Sequence, residues 1–291
     1  MTSAEFIYTV LLRPKPLKRL ANRVIRMIIP AELKRHGATI VLNPNDPVIS
    51  GALTFGVYEK SETELFRNLC RPGMTFLDIG ANVGYYTALA IAGMEGSGKI
   101  IAVEPDRENF QYLERTVTAN GGGNVTCIQK AAADRSGFLT LYVSSENRGD
   151  NRLYANELSD GSYSVEVSTI DSILSDLGVD AVDLIKMDVQ GFEGQVLQGM
   201  RETIRRSKGL VMLTEFWPYG LASAGSKPAE ILRDLESSGL TLYEVHSSGK
   251  IEKIDDQAAF ISRYDGRKYA SLVGVASAAP RGWMKADASV Q

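Results

Sequence analysis

"FLDIGANVGYYT", residues 76–87, is the stretch that decides the architecture. Apolar residues lead up to Asp78, and Gly80 and Gly84 then bracket Asn82. An apolar run that breaks at glycine and resumes with helix formers reads as a strand turning sharply into a helix. Glycine lets the backbone pass close to a neighbour or a ligand without a Cβ clash. The pattern repeats downstream. Strands are predicted at 75–79, 99–103, 125–129, 182–187 and 210–215, and helices near 83–92, 107–119, 192–207 and 228–238. Phe110, Leu113 and Val117 mark the buried stripe of the second helix. Such alternation predicts an α/β fold, a mostly parallel sheet with helices on both faces. Two β-rich pieces interrupt it: 138–143 with 164–167, and a closing antiparallel pair at 240–245 and 270–276.

Outside this region the chain changes character. Residues 13–35 carry Arg13, Lys15, Lys18, Arg19, Arg23, Arg26, Lys34 and Arg35 against one acid, Glu32. Leu17, Leu20, Val24 and Ile28 recur at helical spacing among them. A basic amphipathic helix can cover the core or lie on an anionic membrane. Residues 43–56 read as irregular structure leading into a short strand or hairpin. Ser61 and Glu64 have the spacing of a capping box. The domains expected are an N-terminal basic helical and hairpin extension (1–60), a ligand-binding domain (61–279) and a disordered tail (280–291). No internal repeat is visible.

At 44% hydrophobic, 23% charged and a net charge of −3, the 291-residue chain reads as globular, with no overall pull toward nucleic acid. No run approaches the ~20 apolar residues of a membrane span, and residues 6–12 make no convincing signal peptide. Cys70 and Cys127 lie in dissimilar contexts, which suits free thiols in a reducing cytoplasm. The oligomeric state is not readable.

In an open α/β sheet, ligands bind outside the carboxyl ends of the strands, near the point where strand order reverses. "IIAVEP" puts Glu104 at the end of the second strand, twenty residues beyond Gly84, where an acid can accept two ribose hydroxyls. The middle glycine of a dinucleotide turn is missing, and Asp78 would repel a diphosphate. An acid there suits an ammonium and a sulfonium, the two cations of S-adenosylmethionine. Together these features fit a Rossmann-like methyltransferase. A nucleotide-dependent oxidoreductase, or a non-catalytic cofactor-binding scaffold at a membrane, are the competing readings.

Five stretches carry a resemblance: "RPGMTFLDIGANVGYYT", "AVEPDRENFQYLERTVTAN", "STIDSI", "VDLIKMDVQGFEGQVLQGM" and "LTEFWP". Spread over about residues 55–245, they resemble the FkbM-type methyltransferases. That resemblance implies a class I fold and methyl transfer from S-adenosylmethionine, usually to oxygen, on sugar or natural-product hydroxyls. It implies cofactor contacts at Asp78, Gly80, Ala81, Asn82 and Gly84, with Glu104 and Pro105 at the ribose. Ala131 and Ala132, in the loop 129–134, would lie near the adenine. Many relatives read D-x-E-G-x-E where this chain has Asp188, Gln190 and Glu193. Gln190 cannot ionise, so it is neither a base nor an anionic ligand.

Methyl transfer to oxygen needs an in-line acceptor and a base. Asp188, at the tip of the fourth strand, is the first candidate base and would also border the cofactor. Glu215, at the tip of the fifth, is the second, and His246 is the third. Asp188 and Glu215 could instead hold a divalent cation. Fewer oxygen ligands can be named than such a cation takes, so no metal site is assigned. Glu193 is read as a helix-dipole partner. Lys186 could anchor a carboxylate or the acceptor, and Tyr58, Trp217 and Tyr219 could stack on a sugar. Residues 144–163 could form a lid over a small-molecule or glycan acceptor.

Overall fold

The computed structural model describes residues 15–144, 147–155, 159–266 and 268–280, and of residues 15–21 the backbone only. The chain runs through helix α1 (Lys15–Ile28), a hairpin of β1 (Glu32–Arg35) and β2 (Ala38–Val41), then α2 (Ile49–Phe55) and α3 (Lys60–Leu69). The first βα units are β3 (Thr75–Ile79), α4 (Tyr85–Gly93), β4 (Lys99–Val103), α5 (Arg107–Ala119) and β5 (Val125–Ile128). A small sheet of β6 (Ala131–Ala132), β7 (Gly137–Val143) and β8 (Gly161–Ser168) precedes α6 (Ile170–Asp176). The chain returns through β9 (Leu184–Met187), α7 (Glu193–Gln198), α8 (Arg201–Arg206), β10 (Val211–Phe216), α9 (Pro218–Ser223) and α10 (Pro228–Ser237). It closes with β11 (Leu240–Val245), β12 (Ile251–Lys253), α11 (Gln257–Ser262) and β13 (Ala270–Ala276).

Eight strands make one sheet in the order β12-β11-β13-β10-β9-β3-β4-β5. Strands β10, β9, β3, β4 and β5 are mutually parallel. Strand β13 inserts antiparallel between β10 and β11, which is the closing pair expected from the sequence. The architecture is Rossmann-like. The path through this sheet starts at β3, winds outward to β5, and crosses back to β9 on the other side of β3. Strand order therefore reverses between β3 and β9, and the crevice outside their carboxyl ends is the natural ligand site.

Period-two alternation sorts the side chains of these strands. Leu77, Ile79, Ile185 and Met187 pack on one face with Ile173, Val196 and Leu232. Phe76, Leu184 and Leu213 pack on the other with Phe66 of α3 and Leu89 of α4, and Ile40 of the hairpin joins them. Asp78, Lys186 and Glu215 stand two residues beyond Phe76, Leu184 and Leu213, so they share that second face at the carboxyl end of the sheet.

Three local expectations are corrected. The hairpin lies at 32–41, and residues 49–55 are helical instead of strand. Asp46 Oδ1 accepts from the amides of Val48 and Ile49 (3.0 and 3.1 Å), and this turn opens α2 against the strand propensity of the segment. Ser61 caps nothing: α3 starts at Lys60, and the Ser61 hydroxyl donates to the Ser247 carbonyl (3.0 Å). The helix expected over 192–207 breaks at Gly199, where a Cβ would sit 2.0 Å from the Ala133 carbonyl oxygen. In α1, Val24 and Ile28 of the apolar stripe are exposed while Ile25 is buried against Gly51; the side chains of Leu17 and Leu20 lie outside the described residues. The tail after Pro280 lies outside the described residues. No helix among them is long and apolar enough to cross a membrane.

Candidate active site

The turn after β3 is held by backbone and by one buried acid. The amides of Gly80 and Ala81 donate to the Val103 carbonyl (2.9 and 3.1 Å), tying the turn to β4. Gly80 has φ +80°, and a Cβ there would meet the Asp188 carbonyl oxygen at 2.0 Å, so only glycine lets the β3 and β9 tips approach this closely. Asn82 follows at φ +52°. Its amide donates to Glu104 Oε2 (2.8 Å), and Glu104 Oε1 accepts from the Asp106 amide (2.9 Å). Burial, then the nearby Asp106 charge, push the Glu104 carboxyl up to about 8. Asp78 lies deeper and accepts the Thr87 hydroxyl (2.6 Å). Burial raises it to about 6.

The tips of β9 and β10 carry a different arrangement. Lys186 Nζ sits 3.7 Å from both Glu59 Oε2 and Asp188 Oδ2, and 5.0 Å above the Tyr86 ring. Burial alone would lower its pKa, but Glu59, Asp188, Glu215 and Asp78 together outweigh that and raise it. Glu59 is positioned by a left-handed backbone (φ +35°) and by the Tyr86 hydroxyl, which donates to it at 2.6 Å. Gln190 donates to Asp188 Oδ1 at 2.7 Å. Burial and the charges of Asp188 and Glu193 push Glu215 well above the usual carboxylate range. Burial, then Asp188 against the local amides, raises Glu193 to about 7.

One cavity of about 360 Å³ joins the two sides. Gly80, Asn82, Glu104, Pro105, Ala131, Ala132, Asp188 and Glu215 all line it. Asp78 and Ala81 line a small adjoining crevice of about 20 Å³, together with Lys186 and Asp188. Two sequence candidates lie elsewhere. Gly84 packs α4 on α5, since a Cβ there would meet Leu113 at 2.8 Å. His246 follows β11 and sits near Glu244 (3.3 Å) and Glu252 (3.2 Å), outside the cavity wall. Trp217 is buried beneath the Arg152 guanidinium (4.8 Å), and Tyr219 is exposed, so neither offers a stacking face in the cavity; Tyr58 and Tyr269 do line it.

Several site residues escaped the sequence reading. Asp106 caps α5 through the amides of Glu108 and Asn109, and also holds Arg148 (3.1 Å), Asn151 (3.1 Å) and the Tyr163 hydroxyl (3.0 Å). It therefore ties the segment 147–155 down beside Glu104. An aspartate directly before a helical run was a readable capping signal. Glu59 and Arg148 come from segments without periodicity; the lid expected over 144–163 includes Arg148, but no pattern singled out either residue.

A profile of the methyltransferase FkbM domain matches residues 78–239, more than half of the chain. The 2-O-methyltransferase NoeI of Sinorhizobium fredii is 28% identical over 198 residues, covering 60% of this chain and 76% of NoeI. Two solved structures are similar at low identity. Methyltransferase FkbM from Methylobacillus flagellatus matches at 16% identity and TM-score 0.45, over 90% of this chain but 60% of its own. This chain thus spans less than two thirds of that protein's length. A SAM-dependent O-methyltransferase from Thermotoga maritima matches at 14% identity and TM-score 0.41, over 82% of this chain and 73% of its own. By the profile match, the chain belongs to the FkbM methyltransferase family.

Proposed function

We propose that this methyltransferase moves the methyl group of S-adenosylmethionine to a hydroxyl of a sugar, glycan or natural product. The observation that carries the reading is the single cavity with Glu104 and the Gly80–Asn82 turn on one side and Asp188 and Glu215 on the other. Glu104 is placed to receive ribose hydroxyls, and Ala131 and Ala132 supply small walls for the adenine. The excess of carboxylates over Lys186 favours a ligand bearing an ammonium and a sulfonium and opposes a pyrophosphate. The relative NoeI is a 2-O-methyltransferase, which supports an oxygen acceptor.

In the step itself, a lone pair of the acceptor oxygen forms the O–CH₃ bond. The S–CH₃ bond breaks with its electron pair going to sulfur, and the acceptor proton passes to Asp188, with Glu215 as the alternative. Alignment in the cavity contributes up to ~7–11 kcal/mol at best, and the base about 10²–10⁴-fold.

Titration calorimetry tests the cofactor. S-adenosylhomocysteine should bind in a 1:1 complex and NAD only weakly; the opposite order would overturn the reading. A second, separable reading concerns α1, where exposed Arg23 and Arg26 flank exposed Val24, Met27 and Ile28. That combination supports contact with an anionic membrane surface. Flotation with anionic vesicles should be lost on deleting residues 1–28, and absence of flotation in the full chain would remove this reading. Free Cys70 and Cys127 fit a reducing compartment such as the cytoplasm.

A further inference from the structure

The carboxylates of Asp188, Glu193 and Glu215 each offer an oxygen within 4.8 Å of the other two. They come from three elements: the end of β9, the first turn of α7, and β10. Glu193 is only 1% exposed, and its two oxygens have unequal fates. Oε1 accepts from the amides of Val189 and Gly191 (3.2 and 3.3 Å). Oε2 is buried and has no hydrogen-bond partner. Pairing with the helix terminus therefore accounts for one oxygen and leaves the other orphaned. A buried, unsatisfied carboxylate oxygen is costly. Lys186 does not relieve it, because its ion pairs run to Glu59 and Asp188.

We propose that Asp188, Glu193 and Glu215 bind a hard divalent cation, Mg²⁺ or Mn²⁺, at the wall of the methyl-transfer cavity. Three carboxylates supply the oxygen ligands such ions prefer, and an ion of this kind keeps further positions for water or substrate oxygen. Gln190, hydrogen-bonded to Asp188 Oδ1, is placed to orient that ligand as an outer partner. The purpose of the site rests on the methyltransferase reading; its geometry does not. The open side of the ion would take the acceptor hydroxyl and lower its pKa. A weak base such as Asp188 then suffices to accept the proton.

The test uses the full chain after chelator treatment. Mn²⁺ is titrated with and without S-adenosylhomocysteine, and free Mn²⁺ is followed by electron paramagnetic resonance. Wild type should bind a single ion that Mg²⁺ displaces. Glu193→Gln and Glu215→Gln should each weaken binding by at least the about 10–100-fold that loss of an outer-shell partner costs. No Mn²⁺ binding by wild type, or unchanged affinity in the variants, would overturn the proposal. Circular dichroism checks that each variant folds, and if Glu193→Gln does not, Glu215→Gln decides alone. Titrating the same chelated protein with S-adenosylhomocysteine keeps the two readings apart. Cofactor binding without Mn²⁺ binding sinks only the metal site, and Mn²⁺ binding without cofactor binding sinks only the cofactor assignment.

Discussion

On the β3–β4 side of the cavity, Glu104 gives both carboxylate oxygens to backbone amides, and Asp78 accepts the Thr87 hydroxyl. On the β9–β10 side, Asp188, Glu193 and Glu215 bring carboxylate oxygens within 4.8 Å of one another, and Glu193 Oε2 is buried with no donor. Both sides place acids at strand tips on one sheet edge. On the first side the fold supplies the donors, so the acids act as clasps that shape a turn before any ligand arrives. On the second side the donors reach Asp188 and one oxygen of Glu193 but leave Glu193 Oε2 without a partner, so a proton, a cation or a substrate must complete it. Under the proposed function, the side whose acids are already held by the backbone would bind the cofactor, and the side with the orphaned oxygen would act on the acceptor.

Removing the charge on the reactive side should give the largest effect. Asp188→Asn should reduce methyl transfer by about 10²–10⁴-fold while leaving S-adenosylhomocysteine affinity near wild type, measured by turnover of a found acceptor and by calorimetry. If cofactor affinity fell as far as turnover, the division of labour between the two sides would be wrong.

The seam between the sides comes next. Gly80→Ala adds a methyl group 2.0 Å from the Asp188 carbonyl oxygen at φ +80°. Left-handed strain of about 1–2 kcal/mol plus overpacking of about 1–3 kcal/mol should appear as a stability loss of roughly 2–5 kcal/mol in urea denaturation. Gly121→Ala is the control: φ is +64° but no atom lies within 4 Å, so only the strain remains. Equal losses in the two variants would mean that the tips are not packed against each other.

The strand tips on both sides were legible because a parallel sheet imposes a strict pattern: an apolar run, a polar tip, a glycine turn. Thr75–Ile79, Lys99–Val103 and Arg107–Ala119 fall where the sequence put them. What escaped was whatever depends on distant approach. Glu59 enters from the start of α3 through an unusual backbone angle, and Arg148 enters from the insertion between β7 and β8. Gly84 looked like a ligand glycine by spacing, but its neighbour is Leu113, and no sequence pattern distinguishes those two uses. Glu193 was read from helix position alone, which predicts one satisfied oxygen and is silent on the other.

The clasp side has its own pH signature. The Glu104 carboxyl is held at about 8 in the fold against an ordinary 4.5. The folded protein thus binds this proton more tightly than the unfolded chain does. Its stabilising contribution is present below pH 4.5 and is lost as pH rises from there through about 8. A shift of that size is worth at most roughly 5 kcal/mol. Ligand-free protein should therefore be less stable in mildly alkaline than in mildly acidic buffer. Glu104→Gln should flatten that slope in chemical denaturation scans. Saturating S-adenosylhomocysteine should flatten it too, because ribose hydroxyls donating to Glu104 favour its ionised form. A slope that Glu104→Gln leaves intact would assign the proton to another buried acid.

The smallest expected effect is at His246, and it concerns what lies outside both sides. Strand β11 runs in the same direction as β10, because both are antiparallel to β13, so His246 does emerge at the carboxyl edge of the sheet. Edge alone is insufficient. Two strand spacings of about 4.8 Å separate β11 from β10, and a third separates it from β9, which is beyond the reach of an imidazole. Its ring is occupied instead between Glu244 and Glu252. Partly exposed pairs of this kind contribute about 0–1 kcal/mol. His246→Ala should leave turnover and S-adenosylhomocysteine affinity unchanged and shift thermal stability only slightly. A large loss of turnover would move the proton acceptor from the β9–β10 tips to the far edge of the sheet, and the contrast between clasping and reactive acids would have to be redrawn around it.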